Sequence, residues 1–508
     1  MKTLRKSLSI VLAIIMVLSC TYAMAGAIAY GDGDHLPQIY IEGFESKQIY
    51  REEDTAHTDP LFFPINGQKM IDNLMQYEKY IKQAVAEGDP DLLYKYICLW
   101  MNDCFSLAAL KPDGISNKDG VVTEETTLNK KENGKYVFRH DCRLSPVDLA
   151  KQFKEYVTWV QADSGSQKYE LAASSFGASI ALAFISEYPE ERANIDSLVF
   201  CVPSIKGVNW AGELFSGSFD IDPDALLAFL ADMNLSEELT LFLSVLNKTG
   251  TLDSILSSFL EPTLKFALTK ALRTVVHDIF GTMPSMWSFV DERYFYDALE
   301  YTYGENYDDP DHEYAGLISK ITYYHDNIMT KADDIITDAT DSGIKVSILS
   351  KYGDPPFPLS KEGNFTGDGF VALEMASFGA TCALNGQQLP ADYVQAKDCG
   401  RNMISPDRCV DASTCLLPDN TWFIKGLWHG EKTDSYYNLI NTVLYNDITV
   451  LDDARYPQFL ENDESGNLVP MKEVSAPEKE TSWLRDFLTL LPRLIKMLIE
   501  KLKAFFVK

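Results

Sequence analysis

The order of segments along the chain restricts the fold more than any single motif does. Apolar segments with a strand pattern begin at Pro37, Lys135, Lys168, Ile195 and Gly343, and helical patterns lie between several of them. This alternation is typical of a parallel sheet that helices cover on both faces. The chain has 508 residues, of which 46% are hydrophobic, so it can bury a large core as one domain with insertions or as two or three domains. We therefore predict an α/β fold.

One of these segments also suggests a nucleophile. In KYELAASSFGASIALAF, residues 168–184, a strand pattern ends near Ala173 and a buried helical pattern begins at Phe176. The turn between them fits the elbow motif G-x-S-x-G around Ser175, with alanine in place of the first glycine. The flanking residues must be small, because larger side chains would strike the neighbouring backbone. Ser175 is therefore a candidate nucleophile, and a plain strand-to-helix turn is the alternative.

A long helical segment interrupts the strand order. Residues 207–342 contain apolar helical runs and little strand pattern. We predict a helical insertion with its own core, which also forms a cap over the carboxyl edge of the sheet, where open α/β sheets bind ligands. Its many leucine, phenylalanine, methionine and isoleucine residues favour a long apolar substrate.

A serine nucleophile needs a base and an acid, which we expect at strand ends after the elbow. Of His312, His325 and His429, the last ends the apolar segment DNTWFIKGLWHG and fits a base on a loop, whereas His325 fits a helix face. Asp354 follows a strand directly, and Asp368 lies in a Gly-Asp-Gly turn. Both also fit the ordinary role of aspartate in turns, so the residues alone leave the acid open.

The N-terminus predicts export. Residues 1–25 have three basic residues near the start, an apolar run over 10–18 and a small-residue cleavage motif at 23–25. The alternative is a bacterial lipoprotein signal that leaves a lipid on Cys20. In either case we expect a secreted or cell-envelope protein.

Charge and motifs exclude several classes of function. The formal net charge is −29, and it becomes −32 without residues 1–25, which hold three basic and no acidic residues. Such a surface repels nucleic acid. The sequence has no phosphate loop, dinucleotide fingerprint, paired C-x-x-C or H-E-x-x-H motif. We therefore expect no nucleic-acid partner, no metal and no cofactor.

Export permits disulfides among the cysteines beyond the signal. We expect one within the cluster from Cys382 to Cys415, without a defined pairing, and a buried free thiol at Cys201 in an apolar strand. The eight cysteines are Cys98, Cys104, Cys142, Cys201, Cys382, Cys399, Cys409 and Cys415.

The C-terminus has a pattern of its own. Residues 482–508 predict an amphipathic helix with six lysine or arginine residues and two acidic ones. Such a helix suits a peripheral membrane or envelope contact, and docking on the protein's own surface or on a partner is the alternative. Residues 459–481 are predicted to be its linker.

Taken together, these segments resemble the lecithin:cholesterol acyltransferase-like branch of the α/β-hydrolases, especially its bacterial exported members. The resemblance covers roughly residues 36–445 and rests on YVFRHDCRLSPVDLA, ELAASSFGAS, PSMWSFV, TGDGFVALEMAS and WFIKGLWH. It implies an α/β-hydrolase fold whose core comprises residues 36–206 and 343–458, with the helical cap between them.

The resemblance also implies site residues and an activity. Ser175 would attack an ester carbonyl, His429 would accept its proton, and Asp368 would orient the imidazole. The backbone N–H groups of Phe44 and Phe176 would form the oxyanion hole. The expected function is an exported serine ester hydrolase or acyltransferase acting on a lipid or other acyl ester.

Two residues depart from the family pattern, Ala173 mildly and Glu42 more seriously. Glu42 precedes Gly43 where many relatives have histidine or proline, and a carboxylate there opposes an oxyanion unless it is neutralised or points away. A catalytically weak envelope or ligand-binding protein is therefore one alternative, and a serine peptidase on the same scaffold is another.

Overall fold

The computed structural model describes residues 36–44, 47–61, 67–124, 136–218, 265–356, 360–361 and 363–473, with five single positions between 220 and 228. The predicted signal at 1–25 and the predicted amphipathic helix at 482–508 lie outside the described residues. The same is true of much of the first half of the helical insertion.

A mostly parallel sheet forms the centre of the described residues. Its strands are β1 (Gln38–Ile41), β4 (Tyr136–Phe138), β5 (Tyr169–Ser174), β6 (Ile195–Cys201), β7 (Lys345–Tyr352), β10 (Thr421–Lys425), β11 (Phe459–Asn462) and β12 (Leu468–Pro470). These eight strands run in the order β12-β11-β10-β7-β6-β5-β1-β4, and every neighbouring pair is parallel except β11 with β12. The α/β class expected from the sequence is therefore confirmed.

Two short antiparallel pairs lie outside this sheet. They are β2 (Ile49–Arg51) with β3 (Val121–Thr123), and β8 (Thr381–Cys382) with β9 (Val410–Asp411).

The helices, numbered among the described residues, are α1 (Gly67–Glu87), α2 (Pro90–Phe105), α3 (Pro146–Ser164), α4 (Phe176–Glu187), α5 (Asn209–Phe215), α6 (Lys265–Asp278), α7 (Pro284–Trp287), α8 (Phe295–Tyr303), α9 (Ala315–Tyr324), α10 (Ala332–Asp341), α11 (Leu373–Ala376) and α12 (Asp434–Asn446). Shorter 3-10 turns cover Pro189–Asn194, Phe280–Thr282 and Ala412–Thr414, and a π-helical turn covers His325–Met329.

Both faces of the sheet are buried, because alternate side chains of its strands pack into two different cores. In β5, Leu171 and Ala173 join the core formed with α3 and α4, while Ala172 joins the core formed with α12. Successive side chains of a strand point to opposite faces, so an unbroken apolar strand is the pattern of a sheet that is covered on both sides. Because these strands run parallel, their carboxyl ends meet at one edge of the sheet.

The described residues between β6 and β7 form helices, but the predicted boundary of the cap at 342 is wrong. The apolar side chains from Tyr324 to Ala339 pack against the sheet in the same core as α3 and α4. They form the helical crossover that brings the chain back to β7, and such a crossover covers the sheet face. Residues 276–321 supply most of a separate core, in which Trp287 and Leu317 are fully buried.

The predicted linker at 459–481 is also wrong in its first part. Residues 459–462 and 468–470 are strands β11 and β12, which extend the central sheet. The edge strand β12 contains Pro470, which lacks an N–H donor and is tolerated at an edge.

Candidate active site

Ser175 lies at a strained turn between β5 and α4. Its backbone has φ 53° and ψ −121°, a region that non-glycine residues rarely occupy. Its N–H donates to the carbonyl of Cys201 at 2.9 Å, and its carbonyl accepts from Ala178 at 2.9 Å, so hydrogen bonds on both sides hold the turn. The interpretation of ASSFG as an elbow agrees with this geometry.

The small residues around Ser175 have a steric cause. A Cβ atom on Gly177 would lie 2.5 Å from the carbonyl oxygen of Glu42 and 2.6 Å from that of Ile41. Only glycine permits the first turn of α4 to approach the end of β1 so closely. Ala173 is fully buried, and its methyl group is accommodated where the motif has its first glycine.

His429 follows β10 and reaches Ser175 across the sheet edge. Its Nε2 atom lies 2.8 Å from Ser175 Oγ, and its Nδ1 atom lies 2.7 Å from Asp368 Oδ2. Three residues separated by up to 254 positions therefore form one continuous hydrogen-bonded chain. This is the arrangement of a nucleophile, a base and an orienting acid.

The Gly-Asp-Gly turn presents Asp368 to the histidine. Asp368 is fully buried, and its Oδ1 atom accepts from the N–H groups of Phe370 at 3.1 Å and Val371 at 2.8 Å. The backbone carbonyl of Asp368 accepts from the His429 N–H at 2.9 Å. The acid therefore holds both the ring and the backbone of the histidine.

Both glycines of this turn are sterically required. A Cβ atom on Gly367 would lie 2.2 Å from the carbonyl oxygen of Val371. A Cβ atom on Gly369, which has φ +85°, would lie 2.9 Å from the indole ring of Trp428. We call residues 367–371, around Asp368, the acid loop and residues 426–433, around His429, the histidine loop. The two loops are thus in direct contact at Gly369.

The other candidate residues lie in different environments. Asp354 forms a β-bridge with Asp368, and its N–H donates to the carbonyl of Gly367 at 3.3 Å, so it supports the acid loop. His325 is buried in the π-helical turn, where its Nδ1 atom lies 2.7 Å from Asp326 Oδ1. His312 accepts a hydrogen bond from the Tyr314 N–H at 3.1 Å.

The two predicted oxyanion donors lie on either side of Ser175. Phe176 is the first residue of α4, so its N–H has no acceptor within the helix. On the other side, a Cβ atom on Gly43 would lie 3.2 Å from the Ser175 Cβ, which places the loop that contains Phe44 directly beside the nucleophile.

Glu42 is paired with a cation that the sequence interpretation missed. The Oε2 atom of Glu42 lies 3.2 Å from Arg139 Nη1. The two residues directly follow β1 and β4, whose last residues are register partners. Burial lowers the pKa of Lys432, but its neighbours Tyr40, Tyr437 and, to a smaller extent, Glu42 raise it above its ordinary value. The carboxylate is therefore opposed by positive charge beside the site.

Aromatic rings surround the three residues. The ring of Phe44 lies 5.9 Å from that of Phe176 and 5.6 Å from that of Phe289, and Phe289 lies 6.0 Å from Phe370. Phe370 in turn lies 4.9 Å from the His429 imidazole. A row of rings thus extends from the predicted oxyanion loop to the base.

One helix of the insertion is tied to the acid loop. Trp210 Nε1 donates to the Phe370 carbonyl at 3.2 Å, and its ring lies 5.2 Å from that of Phe370. Trp210 belongs to α5, so the insertion contacts the site from its first described turn.

The expected disulfide in the Cys382–Cys415 cluster is not formed. Cys382, Cys399, Cys409 and Cys415 are free thiols. Cys382 Sγ donates to the carbonyl of Ala380, and Cys415 Sγ donates to that of Ala412. Cys201 is a buried free thiol, as predicted.

Within the described ranges, no group of three or more histidine, cysteine or acidic residues is arranged to hold a metal ion. No helix in that part of the chain combines the length and apolar character that crossing a bilayer requires.

Comparison of the chain with models of known protein families gives no match, and comparison with curated proteins gives none either.

Proposed function

We propose that the protein is an exported serine ester hydrolase or acyltransferase of the α/β-hydrolase type that acts on a lipid or other acyl ester. The observation that carries the proposal is the hydrogen-bonded chain from Asp368 Oδ2 through His429 to Ser175 Oγ, with separations of 2.7 and 2.8 Å. The resemblance to the lecithin:cholesterol acyltransferase-like branch supports the same conclusion.

The reaction follows from the positions of these groups. Ser175 Oγ attacks the ester carbonyl while His429 Nε2 accepts the hydroxyl proton, and Asp368 stabilises the imidazolium that results. The N–H groups of Phe176 and Phe44 donate to the oxyanion that develops on the substrate. His429 then returns the proton to the leaving alcohol, and an acyl group remains on Ser175 until water or another alcohol accepts it.

The surroundings of the site favour an acyl substrate. The rings of Phe44, Phe289 and Phe370 provide apolar surface next to the nucleophile, and apolar surface binds hydrocarbon by excluding water. The predicted basic helix at 482–508 would add a peripheral membrane contact, which suits a lipid ester.

The pairing of Glu42 bears on the alternative of a catalytically weak binding protein. That alternative draws its support from a carboxylate beside the oxyanion hole. Because Arg139 lies 3.2 Å from this carboxylate, its opposition to an oxyanion is reduced. We therefore favour the enzyme.

Hydrolysis of nitrophenyl esters of increasing acyl length tests the proposal. We expect Ser175→Ala to lower turnover at least about a thousandfold, because the acyl-enzyme cannot form. Ser179→Ala is the matched control, since Ser179 lies one turn further along α4 and is fully buried. Equal activity in the wild type and Ser175→Ala would contradict the proposal.

A further inference from the structure

A lysine lies inside the central sheet, next to the loop that carries the histidine. Lys351 belongs to β7, where its register partner in β10 is Ile424, and its side chain is almost completely buried. Nearly every other side chain of β7 that faces the interior is apolar or a small serine. Burying a charged lysine costs free energy unless its ammonium group is paired or hydrogen-bonded.

The ammonium group of Lys351 contacts three carbonyl oxygens of one loop. Its Nζ atom donates to the carbonyls of Trp428 at 3.3 Å, of His429 at 3.4 Å and of Glu431. It also lies over the ring of Tyr436, 4.2 Å from the centroid. A protonated amine has three N–H donors, which match the three acceptors in number.

These contacts complete the attachment of the catalytic base. The His429 N–H donates to the Asp368 carbonyl, and its ring contacts Asp368 and Ser175. Lys351 holds the carbonyl of the same residue, together with the carbonyls of Trp428, directly before it, and of Glu431, two residues after it. The imidazole is therefore fixed through its ring on one side and through its backbone on the other.

From this geometry we propose that Lys351 is a positioning residue that keeps His429 in register with Ser175, and that it does so only while protonated. A neutral amine has two donors and a lone pair, and the lone pair would face a carbonyl oxygen. Loss of the proton therefore releases one carbonyl and loosens the loop. The inference rests on the proposed function, because it assigns a role in the work of the same three residues.

The proton on Lys351 is held weakly enough to matter near neutral pH. Burial lowers the pKa of Lys351 from 10.5 to about 8, despite the carboxylate of Asp368, which raises it. The other groups that act on this pKa are Lys432, which lowers it, and Cys201 and Glu431, which raise it. The Tyr436 ring lies against the ammonium group from α12. Turnover should therefore fall as the pH rises through about 8, where the lysine loses its charge.

The test is a pH profile of turnover and of phosphonylation by a fluorophosphonate probe, from pH 6 to 10, for the full chain. We expect a decrease above pH 8 in the wild type. Lys351→Met should remove this decrease and lower turnover about a hundredfold at pH 7, as a small displacement of the base does. Lys351→Arg should restore part of the turnover at pH 7 and stay active above pH 9, because arginine keeps its proton.

A matched control comes from the same strand. Lys345 lies at the other end of β7 and pairs with Asp196 and Asp447 on the surface. Lys345→Met should keep both the turnover and the alkaline decrease of the wild type.

Two results would overturn the inference. One is a wild-type profile that is flat up to pH 9.5, and the other is an alkaline decrease that persists in Lys351→Met or Lys351→Arg. If Lys351→Met does not fold, the wild-type and arginine profiles still decide the matter.

Hydrogen exchange separates this inference from the proposed function. Exchange in residues 426–433, corrected for the intrinsic rate, should increase in the wild type between pH 7 and 9.5 and should already be high in Lys351→Met. A wild type that shows no Ser175-dependent labelling contradicts the function, whereas unchanged exchange in this segment contradicts the role of Lys351.

Discussion

Asp354 and Asp368 lie side by side after β7, yet they make different contacts. Asp354 lies two residues after the end of β7 and bridges to the backbone of the acid loop. Asp368 lies in the Gly-Asp-Gly turn and reaches His429 Nδ1 at 2.7 Å. Proximity to a strand end therefore does not decide which carboxylate reaches the histidine. The loop around Asp368 can place a carboxylate against His429 because its two glycines permit the close approach.

We expect the largest difference in turnover between the two variants in which one of these aspartates is replaced by asparagine. Asp368→Asn should lower turnover about ten-thousandfold with little change in melting temperature, because an amide favours the wrong imidazole tautomer. Asp354→Asn should retain turnover within a few-fold and lose some stability. The measurement is turnover and melting temperature of both variants, and an inactive, well-folded Asp354→Asn would transfer the acid role to the earlier loop.

The contact between the acid loop and Trp428 can be broken at one glycine. In Gly369→Ala the new methyl group would lie 2.9 Å from the indole ring, which should displace the adjacent His429. We expect about a hundredfold loss of turnover, since a displacement of about 1 Å has an effect of that size.

Gly343→Ala is the control for backbone strain. Gly343 also has a positive φ, +100°, but a Cβ atom there would meet nothing within 4 Å. Its substitution should cost about 1–2 kcal/mol of stability and leave turnover unchanged. Equal losses of turnover in the two variants would show that strain, and not the contact with Trp428, accounts for the effect.

A third carboxylate near the site, Glu42, differs from both aspartates because it is paired with a cation, Arg139. Arg139→Met should reduce turnover about threefold to fivefold, the size expected for a partly exposed ion pair. Glu42→Gln should change it little, and the double variant should recover most of the loss. A large loss in Glu42→Gln would mean that this carboxylate supports the loop or takes part in the reaction.

The smallest expected effect on turnover comes from replacing Glu170, which lies near the start of β5, the strand that ends just before Ser175. Glu170 is buried near Gln38, and burial raises the pKa of its carboxyl to about 7. The folded state therefore holds this proton more tightly than the unfolded state, whose value is near 4.5. The free energy of unfolding should consequently decrease as the pH rises from about 4.5 to about 7.

Glu170→Gln checks this assignment. Glu170→Gln should unfold in urea with a free energy that exceeds that of the wild type by about 3 kcal/mol more at pH 8 than at pH 4, from the size of the pKa shift. Turnover should stay the same. A change in turnover would indicate that the amino end of β5 communicates with the elbow.

The sequence predicts those parts of the molecule whose patterns are local. The strand pattern ending near Ala173, the small residues Ala173 and Gly177 around Ser175, and the strand before His429 are short and self-contained, and the structure has a strand or turn at each. Asp368 was preferred to Asp354 only through the family resemblance, because contact between two distant loops leaves no trace in the spacing of residues.

Other features depend on tertiary contacts that a single segment does not reveal. The helical pattern over residues 324–339 is the same whether this segment packs within a cap or against the sheet. The sequence therefore does not locate the end of the cap, and the predicted boundary at 342 is wrong. The strands β11 and β12 are short and partly polar, so their pattern alone does not indicate a strand. They form by pairing at the edge of the sheet. The helices α1 and α2 were not predicted at all.

Two charged residues near the site were missed for a related reason. Lys351 interrupts the apolar strand KVSILSKY, and a charge at a buried strand position is the signal that indicates it. Arg139 directly follows β4, and its pairing with Glu42 depends on the register between β1 and β4, which the sequence does not fix.

The most direct test of the account is to identify the residue that a fluorophosphonate probe modifies, by mass spectrometry of the labelled full chain. The account predicts a single adduct on Ser175, formed in the wild type and much more slowly in Asp368→Asn, because only a serine activated through His429 reacts readily. An adduct on a different residue, or equal rates of labelling in the wild type and Asp368→Asn, would contradict the proposed roles of Ser175, His429 and Asp368.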